Sequence, residues 1–198
     1  DPKPGTPGTT SASRCGSGSL TLNASLGSNG NVLRWYTSSS GGSHFHTGTS
    51  RTQTFSSTTT YYVSTYNSSS GCESDSRTSV TATIHSVPSL SIASVSNANC
   101  NNRSDASINM NVSGGTPGYS YSWNNGASTQ DLSNIGAGIY SITISDANNC
   151  LDIETGISVT EPDAMNLSTS VSNSTCGFSN GTASVTFNNP GTSGGNAS

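Results

Sequence analysis

The sequence predicts an all-β protein: tandem β-sandwich domains, each stapled by one disulfide. Three observations carry this. Apolar residues recur at every second position in short runs, and nowhere with a useful helical period. Clusters of Gly, Asn and Ser punctuate those runs. Five cysteines are spaced at domain-like intervals. Composition agrees. Ser, Thr and Asn supply 90 of 198 residues, charged residues are 8%, and the net charge is −4. A disordered chain would combine high net charge with few β-branched residues. Here Val, Ile, Thr and Tyr alternate instead, as in thin sandwiches with hydroxyl-rich outer faces.

Taken in order, residues 1–12 open as a Pro/Gly/Thr stretch (DPKPGTPGTT) that reads as a linker. Residues 13–87 form a first domain. Its strands are Ser19–Ala24, Val32–Tyr36, Tyr61–Tyr66 and Ser79–Ile84, parted by turns at Gly27–Asn31, Gly41–Ser43 and Asn67–Gly71. Residues 88–161 form a second, with strands at Ser89–Ser96, Ala106–Val112, Tyr119–Trp123, Gly138–Ser145 and Ile153–Thr160. Many short strands at turn-punctuated spacing point to sandwiches.

An internal repeat sets the later boundaries. SVSN-x-x-C occurs at Ser94–Cys100 and again at Ser170–Cys176, 76 residues on. Ala106–Met110 then corresponds to Ala183–Phe187, and Gly/Thr/Pro turns follow at Gly114–Gly118 and Pro190–Gly195. Residues 162–198 therefore read as the truncated start of a second repeat.

Cysteine spacing proposes Cys15–Cys72 and Cys100–Cys150, pairs 57 and 50 residues apart, with Cys176 unpaired because its partner would lie beyond Ser198. Each staple would remove loop-closure entropy from the unfolded chain and implies an oxidising, extracellular compartment. No C-x-x-C pair suggests zinc or redox chemistry.

Several functions are excluded by what the chain lacks. Lys3 is the single lysine among six basic residues, so there is no basic patch for nucleic-acid phosphates. No apolar run approaches the ~20 residues of a membrane-spanning helix. No secretory signal opens the chain, which reads as a piece of something longer. Ser is abundant, but no G-x-S-x-G elbow occurs, and the ten acidic residues are scattered in turns.

Three groups remain as candidate sites. His44 and His46 would share one face of a strand as half of a metal site. Asp105, Asp146 and Asp152, with Asn148 and Asn149, could offer oxygens to calcium, or could close Asx turns on their own backbone. Tyr119, Tyr121 and Trp123 alternate on one strand face, either as a glycan-stacking platform or as sandwich core. Trp35 reads as core.

The second domain resembles the SprB repeat of Bacteroidota surface proteins. The motifs that carry the resemblance are SVSNANC (Ser94–Cys100), VSGGTPGYSYSWNNGAST (Val112–Thr129), GIYSITISDANNC (Gly138–Cys150) and VTEP (Val159–Pro162). The first domain is similar to the Ig-like modules that accompany such repeats, through SRCGSGSLTLNAS (Ser13–Ser25), WYTSSSGG (Trp35–Gly42) and TTTYYVSTYNSSSGC (Thr58–Cys72). The resemblance implies a non-catalytic structural or adhesive segment of a very large cell-surface adhesin, of the gliding-motility type and exported by type IX secretion. Surface polysaccharide, abiotic surfaces and neighbouring repeats would be its contacts, with no cofactor beyond a calcium option and no membrane insertion. Tandem sandwiches would then form a stalk. The alternative is an accessory glycan-binding module of a secreted polysaccharide-degrading enzyme.

Overall fold

The computed structural model describes residues 2–188, and all regular structure in them is β. The Pro190–Gly195 turn expected in the second repeat lies outside the described residues. Contacts divide the chain into two units. Unit 1 comprises Asp1–Ser89, Ser113–Tyr119 and Ser145–Asp152, and unit 2 comprises Leu90–Val112, Ser120–Ile144 and Ile153–Ser198.

Unit 1 is a sandwich of two sheets. One holds β1 (Gly8–Thr10), β3 (Gly18–Ser25) and β6 (Ser50–Phe55), in the order β1-β3-β6. The other runs β2-β9-β7-β4-β5, from β2 (Ala12–Cys15), β9 (Thr78–His85), β7 (Thr59–Asn67), β4 (Val32–Tyr36) and β5 (His46–Thr47), with β8 (Cys72–Glu73) paired to the end of β7. The core follows from the alternation. Leu22 and Ala24 point in from β3, Leu33 and Trp35 from β4, Tyr61 and Val63 from β7, and Val80 and Ala82 from β9. The Trp35 indole N–H is satisfied by the carbonyl of Gly48 at 2.8 Å, as a buried indole requires.

The stretch expected as a linker is built into this sandwich. β1 pairs antiparallel with β3, Thr9 facing Ala24. Pro4 and Pro7 are buried, and Gly5 donates to the carbonyl of Ser28. Proline and glycine are compatible with an edge strand, where one side of the backbone carries no ladder. β2 then crosses to the other sheet and pairs parallel with β9, which places Cys15 opposite His85.

Unit 2 carries the sheet β10-β11-β13, from β10 (Pro88–Ser96), β11 (Ala106–Gly114) and β13 (Leu132–Ile135). Its other sheet is β12-β14-β15, from β12 (Ser120–Trp123), β14 (Gly138–Ser145) and β15 (Leu151–Val159). Ile108 and Met110, Trp123, Leu132, Ile142 and Ile144, and Ile157 and Val159 are buried. The hairpin of β16 (Asn166–Ser172) and β17 (Thr182–Asn188) pairs in full antiparallel register, Leu167 facing Phe187. Leu167, Val171, Val185 and Phe187 on it stay exposed.

One expectation fails outright. The described residues hold one disulfide, Cys15–Cys150, and Cys72, Cys100 and Cys176 carry free thiols. Cys15 does not bond Cys72 and Cys100 does not bond Cys150, so the sandwiches are not stapled one apiece. The physical reason is position. Cys15 ends β2 beside the last residue of β9, the point at which the chain leaves the first sandwich. Cys72 opens β8, paired with Asn67 at the end of β7. A bond needs Cα atoms within ~7 Å, and it is Cys150 whose Cα lies 5.5 Å from that of Cys15.

Candidate functional site

The covalent link and the loop that presents Cys150 form the most constructed feature of the chain. β14 ends at Ser145, and Asp146-Ala147-Asn148-Asn149 turns the chain into β15. Asp146 is 4% exposed. Its Oδ1 accepts the backbone N–H groups of Asn148 and Cys150, each at 2.8 Å, and its Oδ2 accepts that of Thr116, also at 2.8 Å. Asn149 takes the left-handed conformation (φ 60°) immediately before the cysteine, a place where Asn is tolerated. The Asn148 side chain closes on the Thr116 hydroxyl. Burial pushes the Asp146 carboxyl up, but the N–H groups of Thr116, Cys150 and Asn148, with His85 nearby, outweigh it and hold the group below its ordinary value.

A glycine pair brings the neighbouring loop close. Gly114 and Gly115 both have φ of +65°, and a Cβ on Gly115 would stand 3.0 Å from Asp146 Oδ2 and from the Pro88 nitrogen. A side chain would therefore hold Ser113–Tyr119 away from the carboxylate that organises it. Cys15, Val87–Pro88, Gly114–Thr116 and Asp146–Cys150 all fall within unit 1. The arrangement is a cross-link rather than a reactive centre: the sulfurs are bonded and the carboxylate is committed to backbone donors.

The predicted sites fall elsewhere. Trp123 is 3% exposed and its indole donates to the Thr129 carbonyl, so it is core. Tyr119 and Tyr121 are half-buried, their hydroxyls on the Gly114 carbonyl and Gln130 Oε1. His44 is exposed with its ring edge-on to Tyr36, and His46 stands edge-on to Trp35 with Nε2 3.0 Å from the Ser50 carbonyl. Only His46 lies on a strand. Asp105 binds the backbone and side-chain N–H groups of Asn99, with Arg103 at 3.3 Å. Those Asn99 hydrogen bonds hold its carboxyl low. Asp152 lies on β15. Among the described residues, no three His, Cys, Asp or Glu side chains gather as a metal site would.

A polar cluster escaped the sequence reading. Glu73 on β8 accepts the hydroxyls of Tyr36 and Ser64, with Arg34 4.0 Å away. Arg34 lies over the Tyr66 ring and Arg77 over the Tyr36 ring, both at 3.2 Å. Burial pushes the Glu73 carboxyl up, but Ser64, Tyr36 and the two arginines outweigh it and hold it below 4.5. Its members come from four separated segments, and no local motif marks them. Each arginine covers one face of its tyrosine ring.

Residues 4–85 match the family model of the Ig-like domain described as CHU_C-associated. Residues 92–128 match that of the SprB repeat. A search of the curated proteins found no match. Among solved structures, the chain is similar to the three N-terminal domains of the highly immunogenic outer capsid protein of bacteriophage RB49. Identity is 14%, over 98% of this chain and 71% of that one, at a TM-score of 0.35. It is also similar to a chimeric titin Z1Z2 tandem functionalized with a GRGDS peptide from fibronectin, at 14% identity over 78% and 99% of the two chains and a TM-score of 0.28. No helix among the described residues is long and apolar enough to cross a membrane. The chain thus carries a stretch similar to the CHU_C-associated Ig-like domain, at residues 4–85, followed by one similar to the SprB repeat, at residues 92–128.

Proposed function

We propose that this is a non-catalytic, load-bearing segment of a large secreted bacterial cell-surface adhesin, serving surface attachment of the gliding-motility type. The two family matches support a surface repeat segment. The Cys15–Cys150 bond supports the load-bearing part. It closes a loop of 135 residues. Tension applied at the two ends of the chain passes from residue 15 directly to residue 150, and the β-sandwich residues between them are shielded from extension.

Single-molecule pulling between residues 2 and 188 tests the reading. At about 3.5 Å per extended residue, the oxidised chain should release ~470 Å less contour than the reduced chain. Equal contour lengths would defeat it. The glycan-binding alternative now rests on Tyr119 and Tyr121, because Trp123 is core. Glycan-array binding that disappears in Tyr121→Ala, with Trp123 fluorescence unchanged, would favour that reading instead.

A further inference from the structure

The cysteines fall into two kinds, and the one bond among the described residues joins one of each. Cys15 and Cys100 are exit cysteines. Cys15 lies opposite His85, three residues before Pro88, and Gly16 donates to the His85 carbonyl. Cys100 stands at the same place in the repeat. Ala98 donates to the Thr160 carbonyl, Thr160 donates to the Asn97 side chain, and Asn101 donates to Glu161 and to the Pro162 carbonyl. Cys176 repeats Cys100 in SVSN-x-x-C.

Cys72 and Cys150 are hairpin cysteines. Each follows a long strand and a turn closed by an Asx side chain. Asn67 Oδ1 accepts from Ser69 and Ser70, as Asp146 Oδ1 accepts from Asn148 and Cys150. Each is preceded by a left-handed residue, Gly71 (φ 70°) or Asn149 (φ 60°).

We infer that the stitch is directional along the sequence: as Cys15 of residues 13–87 bonds Cys150 of residues 88–161, the exit cysteine of one repeat segment bonds the hairpin cysteine of the segment that follows it. Cys100, exposed and unbonded, is then the attachment point for the hairpin cysteine of the repeat that begins near Pro162. A groove of about 330 Å³ beside it, lined by Asn99, Cys100, Asn101, Pro162, Asp163 and Met165, seats the counterpart of the Asp146–Cys150 loop. Bond formation uses an external disulfide such as oxidised glutathione. One cysteine thiolate attacks it and expels a thiolate of the donor, and the second cysteine thiolate attacks the mixed disulfide and expels the other. The two protons given up by the cysteines end on the expelled thiolates, so the donor is reduced to two thiols.

The inference stands on the cysteine register and does not depend on adhesion. It is tested first in this chain, as Cys15→Ser refolded in a glutathione buffer. The directional rule expects Cys150 to alkylate as a free thiol. A Cys100–Cys150 peptide would overturn it, because it would show that pairing within the repeat is available and preferred. The second test inserts another copy of residues 88–161 after Glu161. Alkylation of Cys100 should be lost, and its peptide should appear bonded to the added copy's counterpart of Cys150. Pairing of the two cysteines within the added copy, or a Cys100 that stays alkylatable while the Cys15–Cys150 bond confirms folding, would equally overturn it.

Discussion

Removing the Cys15–Cys150 bond should destabilise the chain by a calculable amount. The loop it closes is 135 residues long. The chain-entropy relation then gives about 5 kcal/mol at 25 °C, most of it from the logarithm of loop length. With a urea dependence of about 2.5 kcal/mol per molar, within the range for small domains, the midpoint should fall by ~2 M. Cys15→Ser with Cys150→Ser is the cleaner perturbation, because reductant leaves two thiols in contact. Trp35 in unit 1 and Trp123 in unit 2 are both buried, so fluorescence of Trp123→Phe or Trp35→Phe backgrounds reports each core separately. Unit 1, which holds both cysteines, should shift at least as far as unit 2. Midpoints unchanged by the double substitution, in both reporters, would refute the reasoning: the cross-link would then not restrict the unfolded chain.

Other outcomes follow from named contacts. Trp123→Ala should cost about 3–5 kcal/mol, read by chemical denaturation, since it empties a core site and orphans the Thr129 carbonyl. Gly115→Ala should cost about 1–2 kcal/mol or more, from its left-handed backbone and the crowding of Asp146 and Pro88. The stability contributed by the Glu73 cluster should be whole above its ordinary value of 4.5 and lost as pH falls below it, because the folded carboxyl is held low. Glu73→Gln should flatten that part of the profile in denaturation measured across the acid range.

Much of the strand pattern was legible. Val32–Tyr36 and Gly138–Ser145 coincide with β4 and β14, and Tyr61–Tyr66 and Ser79–Ile84 lie inside β7 and β9. These strands bury alternate apolar residues, so they write a period of two. β1, β2 and β6 were missed because GTT, ASRC and SRTQTF carry little apolar alternation, and their pairing is supplied by β3 and β9. Trp35 was legible as core, whereas Trp123 was legible only as either core or part of a stacking platform. The cysteine partners were not. Spacing reflects how domains repeat, whereas bonding depends on which chain ends meet, and the parallel β2–β9 pairing that carries Cys15 to the exit leaves no local mark. Asp146 was legible as a turn former, but its reach to Thr116 was not, because that contact spans 30 residues.

The central claim is the identity of the bonded sulfurs. Proteolysis of the oxidised chain under non-reducing conditions, after alkylation of free thiols, should yield one cross-linked peptide joining Cys15 to Cys150, with Cys72 and Cys100 alkylated. A Cys15–Cys72 or Cys100–Cys150 peptide would contradict the account.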